Sequence, residues 1–136
     1  MQTYIKPSEL KSKLKTLISI QKPAFIWGAS GIGKSEIIAK VADELGYNLI
    51  DVRVSLLDPV DLRGVPSVEN GTTKWNPPVF LPQEGDGKSI LFLDELPHGS
   101  PSVQNALFQL IRDRKIGEYS LPSDTIILAA GNRVSD

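Results

Sequence analysis

The residues whose types and spacing suggest chemistry begin with a glycine-rich run of eight. The run reads Gly28, Ala29, Ser30, Gly31, Ile32, Gly33, Lys34 and Ser35, and it fits G-x-x-x-x-G-K-[ST] at every fixed position. Glycines there can adopt positive φ, so the backbone N–H groups can wrap the phosphates of a nucleotide without Cβ clashes. We expect Lys34 to reach the β- and γ-phosphates and the Ser35 hydroxyl to ligate Mg²⁺. The other interpretation is a glycine-rich turn whose lysine is merely solvated.

A second chemical pattern is a pair of carboxylates, Asp94 and Glu95, directly after the apolar run at residues 90–93. In such a pattern Asp94 holds Mg²⁺ through water, and Glu95 orients and deprotonates the water that attacks the γ-phosphate. The alternative is an acidic cap on the end of a strand or on the next helix. A phosphate loop upstream favours the first interpretation, because Mg²⁺ needs an oxygen ligand opposite Ser35.

Asn132 follows the last apolar run, residues 125–130, and Gly131 separates the two. Its amide is expected to hold the attacking water, unless it only ends the strand with an Asx turn. His98, the only histidine, has no metal-ligand partners near it in sequence. Three arginines are candidate γ-phosphate sensors: Arg112, Arg114 and Arg133.

These residues need a sheet edge to bring them together. Residues 24–27 predict a strand, residues 34–45 a helix that Gly46 ends, and residues 49–54 a second strand. Strand, helix and strand within about 30 residues predict a parallel sheet with the phosphate loop at its carboxyl edge. Glu36 then lies in the first turn of the helix and completes the expected nucleotide-binding set. Residues 90–93 and 125–130 supply further strands, and Ser100 with Pro101 begins a helix in the favoured order.

Two segments do not belong to that core pattern. Residues 1–22 contain an N-terminal helix that begins near Pro7. The insert at residues 56–82 carries five prolines and an Asn70-Gly71 turn signal, and it predicts a short helical turn followed by a hairpin. Residues 112–120 can form a second small hairpin. An insert of this kind either contacts a partner or covers the sheet, and its residues leave both open.

Composition sets the class of protein. With 136 residues the chain suits one domain, residues 1–136, and its formal net charge of −1 gives no global attraction to nucleic acid or anionic membrane. Cysteine is absent, so disulfides and thiolate metal sites are excluded. We find no signal peptide and no apolar run near the roughly 20 residues that span a bilayer. We therefore expect a cytoplasmic protein.

The ordered set of phosphate loop, Asp94-Glu95 pair and strand-terminal Asn132 resembles the AAA+ ATPases. Finer features resemble the MoxR-like and dynein-related branch. These features are Asp61-Leu62-Arg63-Gly64, the segment at residues 75–82, and Asp94-Glu95-Leu96 followed by residues 100–107. The resemblance runs from about Lys22 onward. It implies a P-loop NTPase three-layer α/β sandwich with a parallel sheet of order 5-1-4-3-2, ring assembly, hydrolysis of ATP with Mg²⁺ at subunit interfaces, and remodelling of a protein client.

The chain departs from that family pattern in two ways. Pro97-His98 stands where many MoxR-like members have Asn and a basic residue. The sequence also ends at Asp136, before the family's fifth strand, arginine finger and helical lid. We therefore expect an open edge at the first strand and an ATP-binding core that hydrolyses ATP weakly by itself, in a homo- or hetero-oligomeric machine. The alternatives are a nucleotide-dependent binding module with little turnover and a small P-loop kinase.

Overall fold

A computed structural model describes residues 7–28 and 34–132 of the chain. In order, its helices and strands are α1 (Pro7–Ser19), β1 (Ala24–Gly28), α2 (Lys34–Leu45), β2 (Asn48–Arg53), β3 (Val65–Glu69), β4 (Thr72–Asn76), β5 (Ser89–Asp94), α3 (Pro101–Asp113), β6 (Lys115–Ile116), β7 (Tyr119–Ser120) and β8 (Thr125–Asn132). Short 3₁₀ turns lie at Val54–Leu56, Pro59–Leu62 and Leu96–His98. In this part of the chain no helix has the length and apolar character needed to cross a membrane.

The centre of the fold is a four-stranded parallel sheet in the order β1-β8-β5-β2. If the four strands of this sheet are numbered by their order in the chain, the sheet order is 1-4-3-2. This is the expected order 5-1-4-3-2 without its fifth strand. Within the described residues β1 pairs only with β8 and is an edge strand. The P-loop NTPase fold class is therefore confirmed.

Both faces of the sheet are covered, and β5 shows how. Ile90 and Phe92 point to the core formed with α1 and α2, whereas Leu91 and Leu93 point to the core that includes α3. All four side chains are fully buried. The continuous apolar run is thus a central strand covered on two sides, as predicted.

α1 belongs to this core. Leu14 and Ile18 are almost completely buried in the cluster that also contains the apolar face of α2. At the solvent side, Lys11 and Lys15 each lie 2.7 Å from a carboxylate oxygen of Glu44 on α2. Hydrogen bonds from these two lysines lower the pKa of Glu44 to about 2. α1 therefore closes one face of the sheet through α2.

Both predicted hairpins are present. β3 and β4 pair antiparallel around Asn70 and Gly71, whose φ angles of 51° and 76° suit a two-residue hairpin turn. The turn at Pro59–Leu62 precedes this hairpin, as Asp58 and Pro59 indicated. β6 and β7 form the second hairpin between α3 and β8.

Candidate functional site

The carboxyl ends of the central strands bring the predicted site together. β1 ends at Gly28, which is aligned with Asn132 at the end of β8, and Asp94 ends the neighbouring β5. Strands that run parallel end at one edge of the sheet, so these positions are neighbours. α2 begins with Lys34 at the same edge. The residues between, Ala29, Ser30, Gly31, Ile32 and Gly33, lie outside the described residues, as does the side chain of Asn132.

Lys34 reaches inward from the first turn of α2. Its side chain is buried, and Nζ donates a hydrogen bond to the Gly131 carbonyl oxygen at 3.1 Å. Burial lowers the pKa of Lys34, and the negative charges of Asp94 and Glu95 partly oppose this shift. The ammonium group is therefore held beside the end of β8 and within the field of both carboxylates.

Ser35 and Asp94 come together as the sequence predicts for a Mg²⁺ site. Ser35 Oγ donates to Asp94 Oδ2 at 3.4 Å, and Asp94 Oδ1 accepts the backbone N–H of Glu95 at 2.9 Å. Hydroxyl and carboxylate oxygens are the donors that Mg²⁺ prefers. Among the residues described, no group of three or more His, Asp or Glu forms a metal cluster. The pair therefore fits an ion whose remaining ligands are phosphates and water. Glu36 is exposed in the same helical turn.

Glu95 has an unusual backbone and two neighbours that sequence reasoning missed. Its φ of 58° and ψ of 36° place it in the left-handed region. Ser55 Oγ donates to Glu95 Oε2 at 2.7 Å, and Arg53 Nε lies 3.9 Å from the same oxygen. Arg53 ends β2, where it is aligned with Asp94, and Ser55 lies in the 3₁₀ turn that follows. Nothing in the local sequence marks Ser55; only the pairing of β2 with β5 reveals it.

The remaining candidate residues point to solvent, are bonded to other groups, or lie outside the described residues. His98 is exposed in the turn after Glu95. Arg112 forms an ion pair with Asp113 at 3.1 Å, and Arg114 donates to the Pro122 carbonyl oxygen at 2.7 Å. Both arginines lie at the far end of α3, which carries them roughly 20 Å from the sheet edge at 1.5 Å per residue. Arg133 is outside the described residues.

Three solved structures from different bacteria share this fold. A candidate ATPase from Cytophaga hutchinsonii superposes with a TM-score of 0.67 at 20% identity, over 96% of this chain and 40% of its own. NtrX from Brucella abortus in complex with ADP gives a TM-score of 0.65 at 15% identity, over 99% of this chain and 31% of its own. A mutant form of RuvB from Thermotoga maritima gives a TM-score of 0.61 at 20% identity, over 94% of this chain and 39% of its own. At these identities the likeness shows the fold.

Sequence comparison gives a narrower result. The chain is 30% identical to midasin of Giardia intestinalis over 115 residues, which is 80% of this chain and 2% of that midasin. The chain therefore spans a small part of this relative. The AAA domain family of the dynein-related subfamily matches residues 23–135, which include the phosphate-loop motif, Asp94, Glu95 and Asn132. The chain belongs to the dynein-related subfamily of AAA domains.

Proposed function

We propose that this domain binds Mg-ATP at the carboxyl edge of its parallel sheet and hydrolyses it. One observation carries the proposal: Ser35, about 60 residues before Asp94 in the chain, donates to the Asp94 carboxylate, while Lys34 lies buried within the field of Asp94 and Glu95. A cation, a hydroxyl and two carboxylates thus meet beside the glycine-rich run. Such a set suits a polyphosphate with its metal ion.

Each residue has a distinct task in this proposal. The loop backbone and the N-terminus of α2, including Glu36, cradle the phosphates, and Lys34 exchanges its bond to Gly131 for the β- and γ-phosphates. Ser35 and Asp94 hold Mg²⁺, which neutralises phosphate charge when bound. Glu95 takes the proton of the attacking water, and Asn132 orients that water from the adjacent strand end.

Two neighbouring substitutions test this division of tasks. Glu95→Gln is expected to keep Mg-ATP affinity and abolish hydrolysis, since an amide can bind the water but cannot accept its proton. Asp94→Asn is expected to weaken binding and its Mg²⁺ dependence together. Calorimetric titration at several Mg²⁺ concentrations, combined with single-turnover hydrolysis of labelled ATP, separates the two effects. Identical behaviour of the two variants in both measurements contradicts the assignment.

A second candidate function is a nucleotide-dependent binding module with little turnover. The contact between Ser55 and Glu95 favours it, because the hydroxyl at 2.7 Å occupies a carboxylate oxygen that would otherwise be open to the attacking water. In that case ATP binding orders the domain for a partner, and hydrolysis is slow. Measuring the single-turnover rate alongside affinity distinguishes this candidate from an efficient hydrolase.

We extend the proposal to assembly in a cytoplasmic ring, homo- or hetero-oligomeric, that remodels a protein client, as in the MoxR-like and dynein-related proteins this chain resembles. One structural feature supports an assembled state. Phe25 and Trp27 on the edge strand β1 form a ring pair with centroids 4.6 Å apart and remain 38% and 45% exposed. Uncovered aromatic surface at a sheet edge is suited to burial against further protein.

A further inference from the structure

A groove of about 940 Å³ lies between the two small hairpins, and none of its lining residues belongs to the candidate nucleotide site. We call it the hairpin groove. Residues 73–76 of β4 form one wall, residues 116–119 form the other, and Leu62, Arg63, Pro77 and Pro78 complete the lining. Its volume is in the range of sites that enclose ligands or short peptide segments.

The edge of β4 that is not paired with β3 faces the groove. Four successive residues of this strand line the groove, and successive side chains of a strand point to opposite faces, so the strand edge is what faces the space. β4 pairs only with β3 among the described residues, and the backbone groups on its other edge have no backbone partner there. An extended peptide can use these groups as the ladder for an added strand.

The walls are fixed by contacts inside the chain. Gly64 has a φ of +79°, and a Cβ at this position would lie 1.8 Å from the carbonyl oxygen of Asn76. The Asn76 side chain donates to Val65 O at 2.9 Å and to Ser67 Oγ at 3.1 Å, which ties the base of the hairpin. On the opposite wall Tyr119 Oη donates to Pro82 O at 2.5 Å. A preformed groove loses little conformational entropy when it binds.

Aromatic side chains line the groove, and its two walls carry opposite charges. Trp75 is 51% exposed at the rim. Arg63 and Lys74 also line the space and form no ion pair with any described residue. The other wall is negatively charged and includes Glu118. Burial, together with the nearby carboxylates of Asp86 and Glu84, raises the pKa of Tyr119 on this wall. Positive charge is therefore presented by Lys74 on β4 and by Arg63 just before β3, near the place that an added strand would take.

We propose that the hairpin groove binds an extended acidic peptide segment of a partner protein as a third strand beside β4. The peptide backbone pairs with the free edge of β4, its acidic side chains lie near Arg63 and Lys74, and its apolar side chains contact Trp75. The groove shares no residue with the nucleotide site, so this binding is retained in Lys34→Ala and stands or falls independently of ATP binding.

Fluorescence anisotropy with defined peptides tests the proposal on the full chain. The probes are a fluorescein-labelled peptide of alternating Glu and Val, its counterpart of alternating Lys and Val, and a Glu-Val peptide N-methylated on alternate residues. The Glu-Val peptide is expected to bind. The Lys-Val peptide carries the opposite charge and the N-methylated peptide lacks backbone N–H donors, so both are expected to bind at least about tenfold more weakly. Equal binding of all three overturns strand addition.

Variants place the binding in the groove. Trp75→Ala and Lys74→Glu are each expected to weaken the Glu-Val peptide about tenfold, and Lys74→Glu is expected to improve the Lys-Val peptide. Val68→Ala is the matched control, because Val68 is 75% exposed on the same hairpin and does not line the groove. In a Trp27→Phe background Trp75 is the only tryptophan, and its emission should shift to the blue on binding.

Two results overturn the proposal. One is binding that Trp75→Ala, Lys74→Glu and Val68→Ala leave equally unchanged while their circular dichroism spectra match the parent. The other is self-association, measured by sedimentation equilibrium, that Trp75→Ala abolishes, since this result gives the groove to a second copy of the chain.

Discussion

Glu95 contacts two residues outside its own motif. Residues other than glycine rarely adopt the left-handed backbone conformation that Glu95 has. Such conformations cost about 1–3 kcal/mol and cluster at functional sites. Ser55 donates to its carboxylate at 2.7 Å, and Arg53 adds positive charge at 3.9 Å. Both interactions hold the carboxylate toward Arg53 and Ser55. We infer that they restrain Glu95 as a base.

Ser55→Ala should therefore raise the single-turnover rate of ATP hydrolysis. A hydrogen bond worth about 0.5–1.5 kcal/mol corresponds to roughly a two- to tenfold change in rate. Ser102→Ala is the control, because Ser102 is an exposed serine on α3 and belongs to none of the site residues named above. A slower rate in Ser55→Ala would show instead that Ser55 positions Glu95 productively.

At the residue scale, the sequence predicts those site residues that belong to short motifs. Lys34, Ser35, Asp94 and Glu95 follow from short motifs, and the structure places their side chains close together. Ser55 lies 40 residues before Glu95, and its role depends on the register of β2 against β5, which no local pattern specifies. The functional roles of all these residues remain predictions, including that of Asn132.

At the scale of elements, α1 is part of the folded core. Leu14 is 1% exposed among residues of α2 and of the sheet, whereas Lys15 is on the solvent side of the same helix and pairs with Glu44. Apolar burial contributes far more than an exposed ion pair to folding free energy. α1 therefore matters for stability through its apolar stripe.

Leu14→Ala should lower the free energy of unfolding by about 2–5 kcal/mol, the range for truncating a buried leucine. Lys15→Ala, one residue along the helix, should change it little, because its partner is solvated. Urea unfolding followed by circular dichroism measures both. Similar midpoints for Leu14→Ala and the parent would mean that α1 is not packed in the core.

Element positions follow from periodicity, and the differences lie at the ends. The predicted strand at residues 125–130 extends to Asn132, because its last residues still pair with β1. The insert at residues 56–82 is confirmed as a turn and a hairpin from Asp58-Pro59 and Asn70-Gly71. The groove between the two hairpins could not be predicted, since it depends on how segments about 40 residues apart pack together.

At the scale of the whole molecule, the described arginines outside the hairpin groove each contact a carboxylate or a carbonyl oxygen of the chain itself. Arg112 and Arg114 are bonded at the far end of α3, and Arg53 lies beside Glu95. An arginine supplied to the γ-phosphate is worth about 10³ to 10⁵ in rate. As part of the proposed function, we expect this charge to come from an arginine supplied by another segment of the proposed assembly.

Turnover per chain should stay low and constant as the concentration of this 136-residue chain rises. The reason is that copies of the chain can bind and position Mg-ATP without completing the charge around it. An ATPase assay across a wide concentration range, with mass measured by light scattering in the same samples, tests this. Turnover that climbs as oligomers form would point to Arg112, Arg114 or Arg133 acting from a neighbouring copy.

The measurement that tests the central claim most directly is Mg-ATP affinity in Lys34→Ala, determined with a fluorescent ATP analogue. Loss of a charge-assisted contact worth about 1.5–3 kcal/mol predicts at least a tenfold weaker Kd. Lys40→Ala, an exposed lysine on the same helix, is the control and should bind as the parent does. Thermal unfolding of both variants verifies that they are folded. Equal affinity in Lys34→Ala, Lys40→Ala and the parent would contradict the assignment of the nucleotide site.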